Sequence, residues 1–264
     1  MDVAKRGVII GMALGDGYVR VRTRYDRKLP REERTLRVLH GPSQRAYCEW
    51  KAERLAWALG CRPMKVSTYR NGPGGRYTAY QFSKNHSYFG QVHRWLYPNG
   101  KKLFTRKVLD MLTPEGLAIW YMDDGHARKN TNSRGFVSSV ATDIATQCTE
   151  VEAQVIVDWL QDRFGLEFKV RCNKRCSPGK QFYIQANTSA SNQFASIIAP
   201  HVPECMLYKL AHVAALSSHE CRAPVSHCFS CDTPVYDDRR GGLCVRCYTR
   251  ERTKRLRAAG DDIV

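Results

Sequence analysis

Three carboxylates in this chain stand where a carboxylate is poorly placed. Asp16 ends the apolar run "VIIGMALG" and precedes Gly17; Asp123 and Asp124 end "LAIWYM" and precede Gly125. Both runs read as helices, over residues 3–14 and 114–123. A helix carries partial negative charge at its C-terminal end, so an acid there is unfavourable by roughly 0.3–1 kcal/mol unless something offsets it. A divalent cation reverses that sign. It prefers hard carboxylate oxygens and also takes carbonyls, which helix C-termini leave unpaired. Glycine after each Asp lets the chain turn out of the helix and approach closely. The chemistry implied is cation binding between two helix ends.

A second set of chemically able residues is Cys228-x-x-Cys231, then twelve residues, then Cys244-x-x-Cys247. Four thiolates at this spacing close a tetrahedral structural zinc site. The segment is too small to hold itself by core burial, so the metal would supply folding energy. Gly241-Gly242 before the second pair suits a tight turn. Cys221, His219 and His227 lie nearby, but four ligands suffice. Unpaired thiols or a disulfide pair are the alternative. The following "YTRERTKRLR" is basic, and reads either as a helix laid along phosphates or as a solvated tail.

The elements that must position the carboxylates follow from periodicity. Helices are expected at 3–14, 44–59, 88–96, 114–123, 150–164 and 191–198. Thr113 and Pro114 supply the cap and first position of the fourth. Strands are expected at 18–24, 35–40, 65–70, 76–82, 126–130, 136–142, 168–172 and 181–185. The order helix, two strands, helix, two strands, helix therefore occurs twice. The repeat offset is 108 residues, from Asp16 to Asp124, too long for a solenoid unit and suited to two related subdomains. Gly11 and Gly15, with Ala13 between, would let the two Asp-bearing helices pack closely, so that Asp16 and Asp124 meet at one edge. The fold class is α+β: two pseudo-symmetric αββαββα subdomains, 1–112 and 113–217, and a small zinc-bound module, 218–264.

Composition sets the partner. Lys and Arg number 42 against 25 Asp and Glu, a formal net charge of +17 over 264 residues. Such a surface favours a polyanion, nucleic acid first. No 18-residue apolar run exists to span a bilayer. The N-terminal basic pair and apolar run resemble a signal peptide weakly, but the pattern recurs mid-chain. Paired Cys-x-x-Cys spacing favours metal in a reducing compartment, so an intracellular, non-secreted protein is expected.

"IIGMALGDG" (9–17) and "LAIWYMDDG" (117–125) resemble the two signature helices of single-chain LAGLIDADG homing endonucleases. Leu112-Thr113-Pro114 and "VPECMLYKL" (202–210) match further features of the branch whose motif reads roughly "LAxWxMDDG". The resemblance spans about residues 3–215, and the zinc-ribbon-like extension lies beyond it. Leu14 stands where many members place another acid. Ile119 stands where others place a small residue, so looser packing is expected there.

The resemblance implies a monomeric, site-specific double-strand DNA endonuclease using Mg²⁺ or Mn²⁺, with Asp16 and Asp124 holding the metals and two antiparallel sheets forming a saddle on DNA. It assigns lysines near the metals: Lys209, and in the first half Lys102, with Lys101 the alternative; for each, a plain phosphate contact is the simpler role. The rival function is an RNA splicing maturase or DNA-binding regulator of the same fold. An intein fits poorly, because a signature helix follows Met1 and no splicing blocks flank the repeat.

Strand alternation selects the faces expected on DNA. Arg20, Arg22 and Arg24 share one face of their strand, opposite Val19 and Val21. Lys169, Arg171 and Asn173 share another, and Gln181, Tyr183, Gln185 and Asn187 a third. Arg37, Lys65, Gln81 and Arg128 complete the set.

Overall fold

The computed structural model describes residues 1–25, 31–71, 77–131, 137–173, 181–210, 226–231, 234–235 and 243–258. The first half runs α1 (Val3–Leu14), β1 (Gly17–Arg24), β2 (Arg31–His40), α2 (Arg45–Leu59), β3 (Ser67–Asn71), β4 (Tyr77–Asn85) and α3 (Tyr88–Leu96). A short α4 (Arg106–Leu109) follows. The second half repeats the pattern: α5 (Pro114–Asp124), β5 (Gly125–Thr131), β6 (Val137–Cys148), α6 (Glu150–Phe164), β7 (Phe168–Asn173), β8 (Gln181–Ala186) and α7 (Thr188–Ile198). Two four-stranded antiparallel sheets result, with the same strand order: β1-β2-β4-β3 and β5-β6-β8-β7. The expected α+β class and its doubled order are what the chain adopts.

Local chemistry explains the boundaries. The Thr113 hydroxyl accepts from the Gly116 N–H with Pro114 at the first helical position, so α5 starts there. Thr149 and Glu152 form a reciprocal capping box on α6. Gly60 and Gly165 end α2 and α6 with φ of 65° and 68°, a conformation open to glycine at little cost.

Some boundaries differ from expectation. The α7 helix begins at Thr188 rather than 191, because the Asn187 side chain caps it by accepting from Ala190 N–H. Asn187 therefore belongs to a helix start, not to the strand face. Lys65 precedes β3. Strand β6 runs on to Cys148, with a bulge before Cys148 and Gln147 at φ 48°. Alternation is lost at such a bulge, which hides the strand's extension from a period-two reading. Phe136, Arg76, Gly241 and Gly242 lie outside the described residues, as do the side chains of Arg24 and Asn173.

The signature helices α1 and α5 lie against each other at the centre of the core, and residues 8–14 and 117–122 are all buried. Their seam has almost no side chain in it. A Cβ on Gly11 would collide with the Gly116 carbonyl, one on Gly116 with the Gly7 carbonyl, one on Gly7 with the Thr113 hydroxyl, and one on Gly15 with the Asp123 carboxylate. Gly7 and Gly116 thus join Gly11 and Gly15 in the seam. Ile119 is fully buried, and Gly116 makes the close approach.

Gly11→Ala should therefore destabilise the chain by about 2–3 kcal/mol, since the methyl group would meet backbone that cannot rotate away. Gly41→Ala, in open space, should stay within about 0.5 kcal/mol. Urea denaturation of both variants checks this; equal stabilities would contradict the seam.

Candidate functional site

The C-terminal ends of α1 and α5 meet at one edge of the seam, facing a cleft of about 710 Å³ whose walls include Asp16, Lys101, Lys102, Asp124, Gln147 and Gln181. The Asp16 side chain keeps 41% of its surface accessible. Asp124 is half-buried, and its Oδ2 accepts from the Trp120 indole N–H at 3.1 Å, one turn back on the same helix.

Each helix end also receives a lysine. The Lys102 ammonium donates to the carbonyls of Leu14 (3.1 Å) and Gly15 (3.0 Å), while Lys209, in a 3₁₀ turn over Glu204–Lys209, donates to the Gly125 carbonyl at 2.8 Å. These are carbonyls that a helix C-terminus leaves unpaired, and a cation there suits the helix dipole. Lys101 is exposed on the cleft rim. Of the two lysines left open by the sequence, Lys102 lies at the helix end.

The third carboxylate behaves differently. The Asp123 side chain is fully buried. Its Oδ1 accepts from the Tyr47 hydroxyl and the Lys51 ammonium, both at 2.9 Å. Its Oδ2 accepts from Lys51 at 2.7 Å and from the Asp16 backbone N–H at 2.9 Å. Lys51, also fully buried, lies 3.3 Å from His40 Nε2, and His40 Nδ1 lies 3.3 Å from Asp16 Oδ2. An ammonium only donates, so Nε2 accepts and the proton of neutral His40 sits on Nδ1, facing Asp16.

The charges are strongly coupled. Burial, then Asp123 and Asp16 nearby, pushes the Asp124 carboxyl up to about 7. Asp16 is also raised, first by desolvation despite its accessible surface, then by Asp123. Burial, then Lys51, lowers the His40 imidazole to about 4. Burial lowers Lys102 and Lys209 against the pull of the three carboxylates.

Asp16, His40 and Asp123 bring possible ligand atoms within 4.8 Å of one another. This trio fits a cation poorly: Lys51 neutralises Asp123, and His40 Nδ1 carries a proton. Asp16 and Asp124 are the carboxylates with oxygens free toward the cleft, and hard oxygens of this kind suit a divalent cation.

Sequence reading missed His40, Lys51, Tyr47 and Gln147. The signals were present for two of them. His40 continues the buried alternation Leu36, Val38, His40. Lys51 stands inside the apolar stripe Tyr47, Cys48, Ala52, Leu55 of α2, where a lysine needs a partner.

The basic strand residues gather as well. Arg20, Arg22, Arg37, Lys65 and Gln81 line one depression of about 720 Å³ on the first sheet. Arg37 Nε donates to Gln81 Oε1 at 2.9 Å, and the Arg37 guanidinium lies 5.0 Å from the centre of the Tyr69 ring. On the second sheet Lys169 pairs with Gln185 and Arg171 with Tyr183 across the strands, and Arg171 Nε donates to Gln185 Oε1 at 3.1 Å. Gln181 closes the row toward the cleft, and Arg128 is exposed on β5. Two acids break the basic faces: Glu33 pairs with Arg22, and Asp143 accepts from Gln185.

Near the C-terminus the sulfurs of Cys228, Cys231, Cys244 and Cys247 lie within 4.8 Å of one another. Cys231 Sγ lies 3.6 Å from Cys244 Sγ and 3.5 Å from Cys247 Sγ. A tetrahedral site with metal–sulfur bonds of about 2.3 Å has edges near 3.8 Å, so the four could hold one ion. The basic segment after them is helix α8 (Val245–Ala258). Among the described residues no helix is long and apolar enough to cross a membrane.

A profile of the LAGLIDADG DNA endonuclease family matches residues 6–194. Among curated proteins, the chain is 30% identical over 208 residues to a protein named RecA from Mycobacterium gastri, covering 77% of this chain and 46% of that one. A Mycobacterium leprae (strain TN) protein of the same name is 36% identical over 119 residues, covering 42% and 16%. The chain thus spans about half the length, or less, of the curated relatives it matches. Among solved structures, the homing endonuclease I-WcaI bound to its DNA recognition sequence has the same fold, with TM-score 0.60 and 20% identity over 79% of this chain and 86% of that one. The meganuclease I-SmaMI bound to uncleaveable DNA aligns with TM-score 0.51 and 10% identity, over 80% and 89%.

The raised Asp124 carboxyl predicts competition between protons and cations. Calcium affinity should level off above about pH 8 and weaken as pH falls through 7, by up to about tenfold per pH unit at the acid end. Asp124→Asn should abolish most of that dependence. Isothermal titration between pH 5.5 and 8.5 measures both.

Proposed function

Because the chain belongs to the LAGLIDADG DNA endonuclease family, we propose that it is a site-specific double-strand DNA endonuclease that hydrolyses phosphodiester bonds with divalent metal. One observation carries this reading. Two carboxylates, one from each half, face a single cleft, and each helix end that bears one receives a lysine. Binding alone would not need acids facing phosphates.

Residue roles follow from the geometry. Asp16 and Asp124 hold the cation, with Mg²⁺ or Mn²⁺ suited to their hard oxygens. A bound divalent ion supplies an acidified water and neutralises charge on the phosphate and the leaving oxygen. Lys102 and Lys209 keep the helix carbonyls satisfied and place positive charge beside the scissile phosphates. Pseudo-symmetry directs one half to each strand of the duplex.

The sheets serve as the DNA saddle. Arg20, Arg22, Arg37, Lys65 and Gln81 form the contact surface of the first half; Arg128, Lys169, Arg171, Gln181, Tyr183 and Gln185 form that of the second, with Arg24 and Asn173 on the same strands. Arg and Lys suit guanine edges, and Gln suits adenine. Glu33 and Asp143 restrain Arg22 and Gln185, which favours a defined pose over general attraction.

The subdomains are 1–112 and 113–217, both on one chain, so a monomer suffices. The module 218–264 holds one Zn²⁺ on Cys228, Cys231, Cys244 and Cys247 and lays α8 along the phosphate backbone.

Cleavage selection on a randomised duplex library with Mg²⁺ should recover a preferred site. Asp16→Asn and Asp124→Asn should each lose at least about 100-fold in cutting rate, the loss expected when a metal clamp is removed, while binding persists. Tight specific binding with no cutting by the parent chain would refute the enzyme.

Metal analysis of purified protein should find about one zinc per chain. Cys244→Ser should lower zinc content and expose the module to protease.

A further inference from the structure

We propose that Asp123 is a positioning residue: it reaches across the helix seam to hold the backbone of Asp16, and it does not ligate metal. The proposal rests on the assignment of Asp16 as a cation ligand. A carboxylate has about four acceptor sites, and the four contacts to Asp123 occupy them: Tyr47, Lys51 twice, and Asp16 N–H. The Lys51 ammonium already stands where a cation would bind. A divalent ion at Asp123 would have to displace it, and the two charges repel.

The space for this contact exists on one side only. Asp123 matches Gly15 in the repeat, each preceding the cleft carboxylate of its helix. Because Gly15 has no side chain, Asp123 can lie over it; a Cβ there would meet Asp123 Oδ2. The Asp123 side chain thus leaves its own half and bonds residues of the other.

The two cleft carboxylates need different supports. Asp124 is held by the Trp120 indole of its own helix. The matching position before Asp16 is Met12, which has no N–H to offer. The backbone of Asp16 is held instead by Asp123 from α5, and the His40 ring from β2 lies 3.3 Å from its carboxylate.

At the described matching positions the second half carries no copy of this network. Counting back nine residues from the left-handed caps Gly60 and Gly165 gives Lys51 in α2 and Ile156 in α6. Strand pairing places Gly17 opposite Val38 and Gly125 opposite Ile144, so His40 matches Thr146. The Thr146 hydroxyl bonds the Phe182 carbonyl at 2.9 Å. The lysine and histidine therefore belong to the first half alone at these matched positions, where Lys51 bonds Asp123.

Two charge-balanced double variants of the full chain isolate the contact. Asp123→Asn with Lys51→Met removes the ion pair and keeps an oxygen for the Asp16 N–H. Asp123→Ala with Lys51→Met removes both. Calcium is the probe, titrated calorimetrically, with the Asp16 amide resonance followed by NMR and the fold checked by thermal unfolding. The Asn variant should bind calcium within about threefold of the parent. The Ala variant should bind roughly 10- to 100-fold more weakly, the usual loss when a group behind a ligand is removed, with the Asp16 amide shifted upfield.

Equal affinities for the two variants, whether both retained or both lost, would overturn the proposal, the latter because charge on Asp123 would then matter rather than its acceptor. Should the Ala variant fail to fold, Tyr47→Phe carries the test, since it removes one donor to Asp123 and little volume. A two- to fivefold loss is expected, and unchanged affinity overturns the proposal. A parent chain that binds no calcium, or binds it equally after Asp16→Asn, overturns the functional reading itself and the proposal with it.

Discussion

Two helices can deliver their C-terminal carboxylates to one place only if nothing stands between their backbones. In this chain that condition is met by Gly7, Gly11 and Gly15 on α1 and by Gly116 on α5, each of which would clash if it carried a single additional carbon. Everything at the cleft follows from this contact. It sets the separation of Asp16 and Asp124, and it aligns the two halves about a pseudo-dyad. It also fixes where the sheets fan out, because β1 and β5 start directly at the helix ends.

Close approach creates an electrostatic problem that the surrounding residues answer. Two helix dipoles point their negative ends at one edge, and three carboxylates join them. Lys102 and Lys209 donate to carbonyls at the two helix ends. Lys51, without any solvent contact, neutralises Asp123. A buried pair of this kind contributes little net stability, yet removing one partner costs about 3–5 kcal/mol, because the other charge is left uncompensated. What remains unneutralised is the pair facing the cleft. Burial first, then the neighbouring Asp123 and Asp16 charges, raises the Asp124 carboxyl to about 7, so its charged form is disfavoured without a cation.

The halves share topology but not internal chemistry. Each sheet presents Arg, Lys and Gln on an open face, and each helix end has its lysine. The support behind the carboxylates differs: an indole of its own helix for Asp124, and a carboxylate from the other half, bonded to the backbone N–H, for Asp16. A duplicated chain can let its two halves diverge in this way, because neither half has to serve both roles at once.

Much of this was legible in the residues. The αββαββα order, the repeat of 108 residues and the basic strand faces were set by apolar periodicity and by spacing, which are local properties that each segment carries itself. The badly placed Asp16 and Asp124 were visible for the same reason: a helix end and its charge are neighbours in sequence. The Cys-x-x-Cys pairs announced themselves by spacing alone. Tertiary structure decided the rest. Whether Lys101 or Lys102 lies at the helix end depends on where a loop after α3 crosses α1. That Gly116 rather than residue 119 makes the close approach depends on the rotation of α5 against α1. That Asp123 is a buried hydrogen-bond acceptor rather than an open one depends on α2, 72 residues away from it in sequence at Lys51. Contacts of that separation leave no local pattern, because each partner looks ordinary until packing brings its counter-charge within 3 Å.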